Sequence, residues 1–263
     1  MRILISNDDG AHAPGIRTLA NHLAELGHEI TIGAPDRERS TTGHCLTLHK
    51  PLRAEEVAEL YSPKVHKAWR INGTPCDAAK PAMNMLMDIS GIDLVLSGIN
   101  RGPNLGTDVI YSGTVSAATE GAIRGIPAIA VSLANFDDLH YHTAAGFIGE
   151  FLTQIRWSEF PKHTIFNVNV PPVEPSELAG VRVTRLGLHR FRDIFEKRMD
   201  LRGHPYFWQT GVVEDHEEDP DTDVIAIKQN YVSVTPINYD MTRYDYLPVL
   251  ENLHLSSNQA VSR

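Results

Sequence analysis

Cysteine is nearly absent from this chain: two occur in 263 residues, Cys45 and Cys76, and they form neither a C-x-x-C pair nor a zinc ligand set. A disulfide framework and a structural zinc site are thereby excluded, and reduced thiols in the cytoplasm are the expectation. Positive charge is also short, with 24 Lys and Arg against 33 Asp and Glu and a net charge of -9. Binding along a nucleic-acid backbone relies on clustered cations that displace counterions, so no nucleic-acid polymer is expected as a partner. A small phosphorylated ligand stays open, because a metal or a few backbone N–H groups hold it locally. No apolar run approaches the length that crosses a bilayer, and neither end carries a lipidation signature. The N-terminal MRILISNDDG stops at acidic residues after a few apolar positions, so it reads as a strand and not as a signal peptide. The expectation is a soluble protein with no membrane contact. Gly-x-Gly-x-x-Gly after the first strand, the P-loop and H-E-x-x-H are all missing, which removes the dinucleotide fingerprint, the nucleoside-triphosphate cradle and the zincin helix.

What is present is alternation of strands and helices. Arg2 to Ser6 is an apolar run ending in Asn7-Asp8-Asp9-Gly10, as a buried parallel strand does when it empties into a loop. A helix follows, with Pro14 in its first turn, Ile16, Leu19, Leu23 and Leu26 at helical spacing, and Gly27 as its stop. Glu29 to Ala34 is the next strand. Further on come a helix over Asp77 to Met87, a strand over Leu94 to Ser97, a helix over Val115 to Arg124 and a strand over Ala128 to Leu133. A helix over Thr143 to Ile155 and a strand over Ile165 to Val170 extend the series. This order predicts an α/β fold with a doubly wound, mostly parallel sheet in one folding unit. Residues 1–171 would form the core and residues 172–263 a β-rich extension. Within the extension, strands are expected over Val181 to Leu186 and Tyr231 to Pro236. Between them, His189 to Asp223 reads as a protruding hairpin turning at Arg202-Gly203-His204, with Phe191, Phe195, Tyr206, Phe207 and Trp208 on its arms. These aromatics have too few neighbours for a core of their own, so a subunit contact is expected. The acidic run Glu214 to Asp223 is read as a solvated face, and Met83, Met85 and Met87 as core filler.

In a parallel sheet, loops beyond the carboxyl ends of the strands converge on the ligand crevice. Asp8 and Asp9 follow the first strand, Ser40 lies in the loop after the second, and Asn100 follows the strand at Leu94; all four offer oxygen. Adjacent carboxylates with no basic residue nearby in sequence repel each other, and a bound cation relieves that repulsion. Oxygen donors favour a hard ion, Mg²⁺ or Mn²⁺, over zinc. An Asx turn capping the next helix accounts equally well for Asp8-Asp9-Gly10 taken alone. A second constellation is Ser112-Gly113-Thr114 immediately before a helix, where unpaired N–H groups and the helix dipole suit a phosphoryl group. Plain capping by Ser112 or Thr114 is the competing role. The loop from Asn100 to Gly106, dense in Gly, Pro and Asn, is costly to order unless it shapes a site. His12 and His44 fall near these positions without metal-ligand spacing and are read as surface or hydrogen-bonding residues.

The segments ILISNDDGAHAPGI (3–16), APDRERS (34–40), NGTPCD (72–77), SGINRGPNLG (97–106), VIYSGTVSAATEG (109–121) and YVSVTP (231–236) together resemble the SurE family, the stationary-phase survival proteins that act as 5'(3')-nucleotidases. The resemblance spans nearly the whole chain in family order. It implies a Rossmann-like core with an extended hairpin and a C-terminal arm used in homodimers or homotetramers. It also implies one divalent cation per subunit and nucleoside monophosphates as substrates. By position, Asp8, Asp9, Ser40 and Asn100 match the family's metal ligands, and Ser112, Gly113 and Thr114 match its phosphate-contacting segment, to which Asn100 is added. Thr41-Thr42 stand where many relatives have a glycine, and Cys45 stands where a small or hydroxyl residue is common.

The chemistry this implies is neutralisation of the transferring phosphoryl group, with Asp8 or Asp9 taking a proton from water. An aspartyl-phosphate phosphatase would need Asp-x-Asp after the first strand. The chain's Asp221-Thr222-Asp223 instead precedes a strand. A non-catalytic nucleotide- or metal-binding module is the other alternative, opposed by the full oxygen set beside an anion site.

Overall fold

The computed structural model describes residues 1–137, 140–188, 191–213 and 219–253. His189 and positions 214–218 of the acidic run therefore lie outside the described residues. The first strand, β1 (Arg2–Ser6), is followed by helix α1 (Pro14–Glu25) and strand β2 (Glu29–Pro35). Next come β3 (Ala54–Glu56), β4 (Lys67–Ile71), α2 (Pro75–Pro81), β5 (Leu94–Arg101), α3 (Gly113–Ile123), β6 (Ala128–Leu133), α4 (Tyr141–Gln154) and β7 (Thr164–Val170). The chain continues through β8 (Gly180–Val183), β9 (Phe191–Met199), β10 (Pro205–Val213), α5 (Asp223–Lys228), β11 (Tyr231–Asn238) and α6 (Leu247–Glu251).

Among the described residues these strands build a 9-stranded sheet in the order β3-β4-β2-β1-β5-β6-β7-β11-β8, with β9 and β10 apart as an antiparallel hairpin. β4, β2, β1, β5, β6 and β7 run parallel. Helices cover both faces, which is why β1 is apolar at every position from Ile3 to Ile5. Side chains alternate across the sheet: Ile3 and Ile5 pack with α1 and α4, while Leu4 packs with residues of α2 and α3.

From β1 the chain first moves outward through β2 and β4, then returns to β5 on the other side of β1 and proceeds to β6 and β7. The strand order thus reverses between β1 and β5, and the loops leaving these two strands diverge to open a crevice. Asp8, Asp9 and Asn100 stand at that point.

Several sequence expectations need correction. β4 joins the sheet outside β2, β3 pairs with β4, and α5 precedes β11; these short elements carry little periodicity and were not anticipated. The second helix begins at Pro75 and not at Asp77, because Thr74 and Asp77 form a capping box. It then passes into a π-helical turn at Ala82–Leu86. Of the methionines only Met83 is fully buried, whereas Met85 is exposed. Leu26 caps α1 and is also exposed. β8 ends at Val183, before the expected Leu186.

Candidate active site at the strand switch point

The loop after β1 is closed by its own side chain. The Asn7 amide donates to the Gly10 carbonyl (3.0 Å) and accepts from the Gly10 N–H (3.2 Å). Gly10, at φ +98°, lies with its Cα against the Arg37 backbone, where a Cβ would come within 3.0 Å. The loop after β2 is tied to the same place by the Arg39 N–H donating to the Asp8 carbonyl (2.7 Å). The ends of β1 and β2 are thereby held together, and Ser40 arrives beside Asp8.

Asp8 is only 5% exposed, and its carboxylate accepts from the Thr114 hydroxyl in the first turn of α3. Gly113 makes this approach possible, since a Cβ there would lie 2.8 Å from both Asp8 Cβ and Pro75 Cγ. Ser112 caps the same helix, its hydroxyl accepting from the Val115 N–H (3.1 Å). The two constellations that look separate in sequence are therefore one site, with the positive end of α3 pointed at the first aspartate. Asp9 accepts from the N–H of Arg101 (3.0 Å), the last residue of β5, which runs through Asn100 and not only to the expected Ser97. The Asn100 amide nitrogen donates to the Gly102 carbonyl (2.8 Å), which fixes the side chain and leaves its Oδ1 as the donor atom for the crevice. The Ser40 hydroxyl donates to Glu38 (2.8 Å).

Burial is the main reason both carboxyls are hard to ionise. The Asp8 carboxyl is raised above its ordinary range, with the Thr114 hydrogen bond opposing the shift. Asp9 is pushed up to about 7 by burial and then by repulsion from Asp8, with Glu38 adding to it. A cation reverses these penalties for both groups at once. The donor set, two carboxylates with a hydroxyl and an amide oxygen, is that of a hard divalent ion. The residues present fit the ion that the sequence implies.

Asp8, Ser40, Asn100 and Ser112 line one cleft of about 1050 Å³, together with Tyr111, Phe136 and, from β10, Gln209, Thr210 and Gly211. The hairpin that the sequence assigns to a subunit contact thus also walls the cleft. Sequence reasoning passed over this wall, over Glu38 and over the Arg101 N–H. Main-chain donors leave no trace in composition.

Within α3, Glu120 is buried and receives hydrogen bonds from Lys80 Nζ (3.0 Å) and His44 Nε2 (2.8 Å). Burial opposes ionisation of Glu120, but these partners outweigh it and hold the carboxyl below its usual range. His44 is thus a hydrogen-bonding residue, as expected. Its Nε2 also lies within 4.8 Å of ligand atoms of Cys76 and Glu120, and His140, His142 and Glu174 make a comparable surface group. Cys45 and Cys76 are free thiols. Among the described residues no helix is long and apolar enough to cross a membrane.

A family model described as "Survival protein SurE" matches residues 3–193. A protein named 5'-nucleotidase SurE from Synechococcus elongatus is 53% identical over 259 residues, covering 96% of this chain and 99% of that one. One of the same name from Trichormus variabilis is 51% identical, covering 96% and 98%. The crystal structure of the SurE protein from Aquifex aeolicus superposes with a TM-score of 0.83 at 35% identity, covering 97% of this chain and 100% of that one.

Proposed function

The chain belongs to the SurE family, and from that premise we propose how it works as a metal-dependent 5'-nucleotidase that hydrolyses nucleoside monophosphates to nucleoside and phosphate. Asp8, Asp9, Ser40 and Asn100 hold the cation, which is Mg²⁺ or Mn²⁺, one per subunit. When bound, the ion neutralises charge on the phosphoryl oxygens as the ester bond breaks. The rest belongs to the chain. Ser112, Gly113 and Thr114 at the start of α3, with the Asn100 side chain, receive the phosphoryl group and orient it by hydrogen bonds and the helix dipole. Thr114 holds Asp8 in one rotamer through its hydroxyl. One of the two adjacent aspartates takes the proton from the attacking water.

The observation that carries this reading is the meeting of Asp8 with the first turn of α3 at the point where the strand order reverses. It brings Asp8, Ser40 and Asn100 into one crevice with Ser112 at the start of α3, which supports the reading. The test is phosphate release from AMP by protein stripped with EDTA, then supplied with Mn²⁺ or Mg²⁺. Restoration by either ion is expected, and full activity in the stripped protein would contradict the reading.

Residues 1–171 act as the catalytic core, and residues 172–263 supply the hairpin and arm of a cytoplasmic homodimer or homotetramer. Support comes from Phe195, Phe207 and Trp208 on the hairpin and from Tyr244, Val249 and Leu253 in the C-terminal segment, all exposed in the single chain.

A further inference from the structure

A phosphoryl group and a cation occupy a small part of a cleft of about 1050 Å³. The remainder mixes polar residues with the exposed apolar side chains of Ile110, Tyr111 and Phe136. Tyr111, immediately before the Ser112 cap, exposes 65% of its surface, and Phe136 exposes 59%. Large aromatic rings this open beside a catalytic crevice are costly to leave in water and gain most from a flat apolar ligand.

Both residues are anchored through their backbones, and the Phe136 ring is also supported from below. The Tyr111 backbone is fixed on two sides, its N–H donating to the Asp108 carbonyl (3.0 Å) and its carbonyl accepting from the Gly43 N–H (3.0 Å). The Phe136 carbonyl accepts from Arg101 Nε (2.8 Å), and its N–H donates to Asn135 Oδ1 (2.7 Å). The Phe136 ring rests on the bare Cα of Gly102, where a Cβ would lie 2.3 Å from it. That glycine, at φ +104°, lies two residues beyond the metal-ligand candidate Asn100. An aromatic ring supported from one side and open on the other is a stacking surface whose ordering cost is already met by the fold. The hairpin strand β10 also lines the cleft at Gln209, Thr210 and Gly211, and the Gln209 amide offers both donors and an acceptor.

We propose that Tyr111 and Phe136 form the stacking platform for the nucleobase of the substrate, and that Gln209 of the hairpin faces the edge of that base. The inference rests on the nucleotidase reading above and adds where the nucleoside lies. Every base has a π-face, so stacking confers affinity without strong base selection. Gln209 then grades purines against pyrimidines through hydrogen bonds to the base edge.

The test compares AMP with ribose 5-phosphate, which keeps the phosphate ester and sugar and lacks the base. For Tyr111→Ala and Phe136→Leu, the ratio of kcat/KM for AMP to that for ribose 5-phosphate should fall about tenfold. Most of the change should appear in KM for AMP. Tyr111→Phe, which keeps a ring, should restore the ratio, and Gln209→Ala should alter the ranking of AMP, GMP, CMP and UMP. Equal losses on both substrates would mean that the rings only shape the Asn100 loop, and an unchanged ratio would mean that the base lies elsewhere; either result overturns the inference. Parent protein that hydrolyses neither ester with Mn²⁺ present would instead defeat the nucleotidase reading itself.

Discussion

Asp9 shows how one side chain links folding to function. Its folded pKa of about 7 lies above its ordinary 3.8, so in metal-stripped protein the folded state binds the extra proton. The contribution of this group to stability is therefore fully present below 3.8 and is lost as pH rises through about 7. Urea unfolding of stripped protein should show stability declining over that window. Asp9→Asn should flatten the slope, and added Mn²⁺ should stabilise most at the alkaline end, where the carboxylate is free to bind. Gly113 is the second residue on which the site depends. Gly113→Ala places a methyl group 2.8 Å from Asp8 Cβ, and overpacking of this kind costs roughly 1–3 kcal/mol. Denaturation midpoint and AMP turnover should fall together in that variant; a loss of neither would mean that α3 has room to retreat from β1. The position of Asp8 and Asp9 in the loop after β1 was legible because an apolar run there breaks into oxygen-bearing side chains. That Thr114 binds Asp8 was not legible, since 106 residues separate the partners.

At the scale of elements, the regular βαβ core could be read from periodicity, with β1 and β6 correct at both ends. The hairpin turn was legible from Arg202-Gly203-His204. Its folding back to put Gln209 in the cleft was not, because nothing local in an exposed strand records what it faces. β3, at the sheet edge, and β4, beside it, escaped because strands this short bury too little to impose a pattern. Helix α2 owes its start to the box in which Thr74 accepts from the Asp77 N–H (3.1 Å) and Asp77 accepts from the Thr74 N–H (2.9 Å). Thr74→Ala should lower stability by about 1 kcal/mol, read as a shifted urea midpoint, with Mn²⁺ affinity unchanged. A cost near zero would show that the Asp77 bond to the Thr47 N–H suffices to hold this end. Changing Phe207 and Trp208 to Ser should lower the mass measured by light scattering while the core keeps its circular dichroism; an unchanged mass would remove the hairpin from the subunit contact.

The whole molecule is acidic, and its net charge of -9 repels the nucleotide that it hydrolyses. Nothing in the overall charge attracts a phosphate, so the local cation and the α3 terminus have to do so against the long-range field. Composition argues against polymers of nucleotides and leaves their monomers open, and the strand reversal between β1 and β5 explains how an acidic chain builds an anion site. The most direct test of that account is calorimetric titration of Mn²⁺ into metal-stripped protein, with AMP hydrolysis followed on the same samples. The parent is expected to bind a single ion per chain and to regain turnover in step with occupancy. Asp8→Asn is expected to lose both, with turnover reduced ~10²-fold or more and its circular dichroism unchanged. Parent-like Mn²⁺ affinity and AMP turnover in Asp8→Asn would contradict the claim that the strand switch point is the catalytic centre.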